Sequence, residues 1–457
     1  MPNLFKPASA GSVDSDSVTA DFNIGGETLS IDDFTTYHIE SDFMVPADHF
    51  TFTIEDDRAS QLTNKIQIGS PLTVKINGAP QLVGYVDHIS FKYDRHGAVL
   101  TISGRDALGL MSDSTCNPGL QYDASTSIKK ILTDLFTIFN LTPTINDAAD
   151  LTVATAGLQG LAVHNKQPKA IAKSWARKLG RQVRPKKEEG YLEYAIRLSK
   201  ELGLYIKLTP GSSNVNVNTP TYDRTTAVAF QLTNRFAQFG NTARNNVLAG
   251  DLAVDWTKQP SCVVAEMEGG NSNPIYRRDV TKVLALNELT AFDSFDFDPN
   301  DQDEVLAAVN SNTYDILQQF QGFGYMLVPI NIGLLNSIPS LLKIQPDVGQ
   351  LSRPMFTFDR DASTAEELEF FTLEKLASHQ NHFMKLDYTV KDHTFTGQDG
   401  FKLIWTPNTM VYVRDDRFNL DGNYWLQKRV FSKSRHEGTL TKLELRLPYI
   451  YNFYVTQ

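Results

Sequence analysis

At 457 residues, with 41% hydrophobic and 21% charged positions, the chain has an ordinary globular composition and room for roughly three or four domains. Its net charge of −10 is uneven: residues 161–210 hold 12 Lys/Arg against 4 Asp/Glu, leaving −18 on the remainder, which argues against a protein that clamps duplex phosphate. No run of 18 apolar residues offers a transmembrane helix, and the two cysteines, Cys116 and Cys262, have no metal spacing and exclude a disulfide framework.

Residues 1–20 are polar, with one Lys and no apolar core, and read as a flexible arm and not a secretory signal. From Asp21 the pattern is strands. Phe50, Phe52 and Ile54 alternate with Thr51 and Thr53, and Leu72, Val74 and Ile76 alternate with Thr73 and Lys75. Asn77-Gly78 then marks a tight hairpin. Residues 21–114 are expected to form a first antiparallel β-barrel.

Near Asp123 the period changes to 3.6. Ile128, Ile131, Leu132, Leu135 and Phe139 share one helix face. Further helices are predicted over Ala170–Leu179 and over Tyr191–Leu202, the latter ending at Gly203. A strand follows at Leu204–Leu208, and Asn216 to Asn218 begin the exit. Residues 115–221 therefore read as an α+β insertion with a basic face: Lys169, Lys173, Arg177, Lys178, Arg181, Arg184, Lys186 and Lys187. That face is either a dock for an acidic partner or a solvated helix surface; it lacks the aromatic interleaving of a nucleic-acid site.

Strands resume at Ala227–Leu232 and Ala249–Val264. Residues 265–379 read as an inserted α+β region. It holds an acidic run from Asp293 to Glu304, a helix over Val305–Phe320 and a capping box at Ser363–Glu366 opening another helix. Met384, Leu386, Tyr388 and Val390 then alternate with polar residues. In the last strand Leu443, Leu445 and Leu447 point inward, and Lys442, Glu444 and Arg446 outward. Residues 222–264 and 380–457 together make a second barrel.

Part of the chain is written twice. Gly84–Arg105 and Trp425–Arg446 are each a strand, a polar turn carrying Arg-His and then Gly, and a second alternating strand. The turns are Arg95, His96, Gly97 and Arg435, His436, Gly438, and each copy follows a Pro-led apolar strand, from Pro71 and from Pro407. A chain carrying one subunit shape twice can build a pseudo-six-fold ring as a trimer.

Catalytic constellations are missing from the sequence. There is no H-E-x-x-H, C-x-x-C, G-x-S-x-G or Walker loop. Gly322-Phe-Gly324 lacks the third glycine of a dinucleotide turn. Asp296-Phe-Asp298-Pro-Asn300 begins like a calcium loop but has Asp301 and Ala307 where Gly and Glu belong. His379 and His382 read as surface residues. No catalytic residue, cofactor or metal is expected, and the chain is read as a non-enzyme.

Leu100-Thr-Ile-Ser-Gly-Arg-Asp-Ala-Leu-Gly-Leu-Met111, Ala195–Leu204, Val390–Thr396 and Leu403-Ile-Trp-Thr-Pro-Asn-Thr-Met-Val-Tyr-Val413 carry a resemblance. In order and pattern the chain resembles the baseplate hub proteins of contractile phage tails, the Mu-type hub and late-control D protein family. Ser103-Gly104-Arg105-Asp106 is the most telling segment. The resemblance implies two tail-tube-like barrels per chain and a homotrimer joining a six-fold tail tube to a three-fold central spike. It implies a virion location in the tail baseplate, with assembly in the host cytoplasm. Expected partners are the tail tube, spike, baseplate wedge or sheath and tape measure proteins. DNA is expected to pass the lumen without specific binding, and no membrane insertion is expected. The absence of a needle-like repeat before Gln457 implies a separate spike polypeptide. The candidate ring or lumen positions are Tyr85, His88, Lys92, Arg95 and Arg105 in one copy and Lys428, Arg435, Lys442, Glu444 and Arg446 in the other. The basic insertion would stand outside the ring. Two other readings stay open: a receptor- or carbohydrate-binding β-protein, which needs an exposed aromatic platform from Trp175, Trp256, Trp405 or Trp425, and a tail-borne cell-wall hydrolase, which needs a cleft with a raised-pKa Glu.

Overall fold

The structure, a computed structural model, describes residues 16–95, 97–123, 126–146, 184–200, 204–218, 227–236, 245–255, 262–267, 282–285, 324–328, 354–359, 382, 384–397 and 400–447. The N-terminal part contains β1 (Val18–Ile24), β2 (Glu27–Ile31), β3 (Thr36–Asp42), β4 (His49–Glu55), α1 (Asp56–Thr63), β5 (Pro71–Ile76), β6 (Ala79–Asp94) and β7 (Gly97–Asp106). Strict burial of every second residue in β4 and β7 follows the period-2 pattern read from the sequence. The Asn77-Gly78 hairpin is as expected: both residues have positive φ, 50° and 80°, a conformation Asn tolerates and Gly adopts freely.

A small α+β unit follows, with α2 (Leu108–Ser112), α3 (Ile128–Thr137), β8 (Thr142–Ile145), α4 (Tyr191–Lys200), β9 (Tyr205–Leu208) and β10 (Asn214–Asn218). The Ser127 hydroxyl caps α3 by accepting from the Lys130 amide at 3.2 Å. Ile128, Ile131, Leu132 and Leu135 are fully buried against α4 residues Tyr194, Ala195 and Leu198. Asn216–Asn218, expected as an exit, are part of β10, because Val215 and Val217 alternate with the asparagines and fill the same core.

Next come β11 (Val228–Asn234) and β12 (Val247–Val254). Four short strands form a sheet of their own: β13 (Cys262–Met267), β14 (Lys282–Ala285), β15 (Gly324–Val328) and β16 (Pro354–Asp359). The chain ends in β17 (Met384–Lys391), β18 (Thr394–Thr396), β19 (Lys402–Ile404), β20 (Thr409–Asp415), β21 (Leu420–Ser434) and β22 (Gly438–Arg446). The predicted helices over Ala170–Leu179, Val305–Phe320 and after Ser363, the acidic run and Gly203 lie outside the described residues.

The mainly-β class with α+β insertions read from the sequence holds. Strands from both ends of the chain join in one thirteen-stranded sheet. Its path is β12-β17-β22-β21-β3-β4-β7-β6-β5-β1-β2, with β20 on β21 and β11 on β20. Among the described strands neither half closes on itself; the two are arms of one open sheet over one apolar core. That core runs from Phe22, Phe50 and Ile102 through Phe431 to Leu386 and Leu445.

Candidate assembly interface

The repeated hairpins match pair by pair. In β6–β7, Tyr85 faces Arg105 and Val86 faces Gly104; a bulge at Asp87 follows, then seven pairs from His88–Ser103 to Asp94–Gly97. In β21–β22, Trp425 faces Arg446 and Leu426 faces Leu445; a bulge at Gln427 follows, then seven pairs from Lys428–Glu444 to Ser434–Gly438. Tyr85 thus corresponds to Trp425 and Arg105 to Arg446, and the second turn is one residue longer, at Glu437. The flanking strands follow the same scheme. Pro71 faces Tyr85 as Met410 faces Trp425, and Phe50 faces Gly104 as Leu386 faces Leu445.

The bulges have different uses. Asp87 accepts from Arg105 Nε at 2.7 Å, while the outer guanidinium nitrogens hold Asp113 across α2. Ion pairing with Asp113 and Asp87 raises the Arg105 pKa above its already high value. Gly104 lets the chain pass Phe50, whose ring would lie 2.7 Å from a Cβ there. Asp106 accepts from the amides of Leu108 (3.0 Å) and Asp48 (2.8 Å), which fixes the start of α2. Its carboxyl is pushed up by burial and by Asp48. Ser-Gly-Arg-Asp is therefore a structural corner. In the second copy the carbonyl of bulge residue Gln427 accepts from the Phe43 amide at 2.9 Å.

The two arms meet where β21 pairs antiparallel with β3, six pairs from Lys428–Asp42 to Lys433–Tyr37. The core face of this seam is closed. Phe431 and Ile39 face each other and are 0% and 2% exposed. The Arg429 guanidinium lies 4.3 Å from the Phe431 ring and donates to Gln81 Oε1 at 3.1 Å and to the Trp405 carbonyl. Burial lowers its pKa to about 10, so it stays charged at neutral pH.

His393 plugs the other end of the seam and is fully buried. Its Nδ1 lies 3.0 Å from Thr441 Oγ1, and its Nε2 2.8 Å from the Tyr37 hydroxyl. Thr441 donates its own proton to the Asp392 carbonyl, so it can only accept from Nδ1–H; Nε2 then accepts from Tyr37. Asp16 accepts from the His393 amide at 2.7 Å and from Thr394 Oγ1 at 2.9 Å. Burial, with Arg429 nearby, lowers the His393 pKa to about 3 against the opposing pull of Asp16, which fixes a neutral ring.

The opposite face of the sheet is polar and largely charge-compensated. Lys428 Nζ lies 2.6 Å from Glu40, and Lys385 Nζ lies 2.8 Å from Asp387 and 3.3 Å from Glu444. Burial alone would raise the Glu40 carboxyl; Lys428 and His38 hold it below its ordinary range.

The other sequence-derived positions divide. His88, Lys92 and Arg95 are exposed on β6 and its turn, Tyr85 is half-buried against the α+β core, and Lys442 is exposed. Arg435 pairs with Glu55 of the first copy. Arg446, expected to point outward, is buried: it donates to the Met384 carbonyl at 3.1 Å and to Glu444 beside it. Met384 starts β17 beyond the last β17–β22 pair, Leu386–Leu445, so its carbonyl on that side is left for a side chain to satisfy, which alternation alone does not reveal. Of the basic face, Arg184, Lys186 and Lys187 are exposed. Lys169, Lys173, Arg177, Lys178 and Arg181 lie outside the described residues. The buried Arg429 and His393 were not singled out by sequence. Asp392-His393 reads as a polar turn directly after β17, and no local pattern marks it as buried.

Trp405 and Trp425 are each 1% exposed, so neither forms an aromatic platform; Trp175 and Trp256 lie outside the described residues. Glu40 and Glu189 are lowered, not raised, against burial, by Lys428 and Arg197. No described helix is long and apolar enough to cross a membrane.

Residues 20–106 match the family model for the N-terminal domain of Mu phage baseplate assembly protein GpP-like, and residues 380–447 that for a tail protein C-terminal domain. Each model falls on one copy of the repeat. The crystal structure of the tail protein from Neisseria meningitidis MC58 shares the fold at TM-score 0.62 and 17% identity, over 96% of this chain and 99% of that one. The 43 kDa tail protein of prophage MuSo2 from Shewanella oneidensis does so at 0.59 and 16%, over 95% and 99%. A Francisella PdpA-VgrG complex reaches 0.51 at 8% identity, over 96% of this chain and 59% of that one. No curated protein matches the sequence.

Proposed function

We propose that this chain, which carries a Mu-type baseplate-assembly domain at one end and a phage tail-protein domain at the other, is the structural hub of a tail baseplate. Three chains bring six similar modules into a pseudo-six-fold ring. One rim meets a six-fold tail tube and the other a three-fold spike. The modules are residues 21–114 and 222–264 with 380–457; residues 115–221 and 265–379 stand as insertions. The observation that carries this reading is the pair-by-pair equivalence of the two hairpins, down to the single bulge after Val86 and Leu426. Two equivalent units in one chain halve the symmetry needed to match a hexameric neighbour.

The polar sheet face, with Glu40, Lys428, Lys385 and Glu444 in mutual ion pairs, lines the lumen. A cation already held by a carboxylate offers phosphate little, so DNA slides past without specific binding. The exposed basic residues of the insertion, Arg184, Lys186 and Lys187 among them, dock an acidic wedge or sheath protein outside. The tape measure protein shares the lumen before ejection. The protein acts by geometry in the virion, after assembly in the host cytoplasm, and not as an enzyme.

Native mass spectrometry of the purified chain tests this. A species of three times the 51.1 kDa chain mass is expected. A chain that stays monomeric alone and with tail tube and spike proteins would overturn the reading.

A further inference from the structure

The internal seam has an unmated counterpart. One edge of β21 is covered twice, residues 420–426 by β20 and residues 428–433 by β3. The corresponding edge of β6 is covered by β5 only as far as Tyr85; residues 88–94 pair with β7 on the other edge and with no further described strand. At the far end of the sheet β12 pairs, among the described strands, with β17 alone. β12 is the second copy's equivalent of β3: Leu252 faces Leu386 as Ile39 faces Phe50.

We infer that residues 88–93 of β6 pair antiparallel with residues 250–255 of β12 from a second copy of this chain, in the register of the β21–β3 seam. This rests on the ring reading above. Transferring that register puts Phe91 opposite Leu252, where the internal seam has Phe431 opposite Ile39. Phe431 and Ile39 are buried, whereas Phe91 and Leu252 are only half-buried in the single chain and already touch the edge of the main core. Two rows either side, Ile89 meets Val254, 38% exposed, and Tyr93, 79% exposed, falls opposite Gly250, over which the Tyr388 and Phe418 rings pack. These pairs all lie on the core face.

The polar face agrees. Lys92 falls opposite Asp251, and both are exposed. Within its own chain Asp251 sits directly across from Asp387, whose charge Lys385 holds at 2.8 Å, so Lys92 would meet the outer carboxylate of the pair. One register therefore satisfies apolar pairing on one face and charge on the other. A slip of one residue would send Phe91 and Lys92 to opposite faces from their partners. Each chain offers one β6 edge and one β12 edge, so the contact is head-to-tail, and with three copies completing the rotation it leaves neither edge free.

The test is a paired-cysteine variant, Ser90→Cys with Ala253→Cys. Directly opposite antiparallel residues have Cα atoms about 4.5–5.5 Å apart, within disulfide reach. Oxidation of the assembled protein is expected to give covalent dimers and closed trimers on denaturing gels. Neither single variant should do so, nor Ser90→Cys with Asp251→Cys, whose diagonal separation of about 7–8 Å is beyond that reach. Thermal unfolding of each single variant checks that the fold is intact. A charge-reversal pair gives a second readout: Lys92→Asp lowers the trimer fraction and Asp251→Lys added to it restores it. Native mass spectra separate the failures. A trimer that does not cross-link at 90–253, or that cross-links best at 90–251, overturns the seam and leaves the ring standing. A chain with neither trimer nor cross-link, both alone and with tail tube and spike proteins, overturns both.

Discussion

The β21–β3 seam and the edges of β6 and β12 are built from corresponding strands, yet one is closed and the others are open. In the closed seam Phe431 is fully buried, with the Arg429 guanidinium over its ring and His393 tilted against it at 4.5 Å. In the open one Phe91 rests half-covered beside a solvent-facing Tyr93. The same hairpin thus serves once as interior and once as surface. A chain that carries its own finished copy of an interface displays the register its unfinished copy should adopt.

Substitutions on the two sides should separate cleanly. Phe431→Ala removes a fully buried ring from the middle of the sheet and should cost about 3–5 kcal/mol in denaturant unfolding. Equal unfolding of Phe431→Ala and wild type would mean the seam is loosely packed. Phe91→Ala should cost the isolated chain less, about 1–2 kcal/mol, because that ring is only partly buried at the edge of the core. It should nonetheless abolish the trimer in native mass spectra.

Acid should act through His393. Its folded pKa of about 3 lies below the ordinary 6.5, so the folded state refuses a proton that the unfolded chain accepts. That contribution is complete above pH 6.5 and is lost by about 1.4 kcal/mol per pH unit as pH falls from 6.5 toward 3. Asp106, with its raised pKa, works in the opposite sense below neutrality and blunts the loss. His393→Gln should flatten the fall in melting temperature between pH 6.5 and 4.5; an unchanged slope would place the acid sensitivity elsewhere. The smallest effect belongs to Lys428→Ala. The Lys428–Glu40 pair is partly exposed, so its loss should cost about 0.2–1 kcal/mol and less at high salt. A salt-independent loss would mean that Lys428 matters through its packing.

Much of this was legible in the residues. Alternation of Phe50, Phe52 and Ile54, or of Leu386, Tyr388 and Val390, can be satisfied only by strands with one buried face, and those strands formed. The Arg-His turn flagged the repeat, and the residue-by-residue pairing put Tyr85 with Trp425. What stayed hidden depends on tertiary partners. No local pattern distinguishes a solvated Arg446 from one that satisfies the Met384 carbonyl, or a turn histidine from one sealed by Tyr37 and Thr441. The joining of both copies through β21 and β3, nearly 400 residues apart in sequence, was equally invisible, because strand pairing carries no sequence label beyond its facing pattern.

Electron cryo-microscopy of the purified chain decides whether the ring and its β6–β12 seam form. A ring with three-fold symmetry and six similar lobes around a hole is expected, its sheet continuous from β6 of one protomer into β12 of the next. A particle whose β6 and β12 edges both face solvent would contradict it.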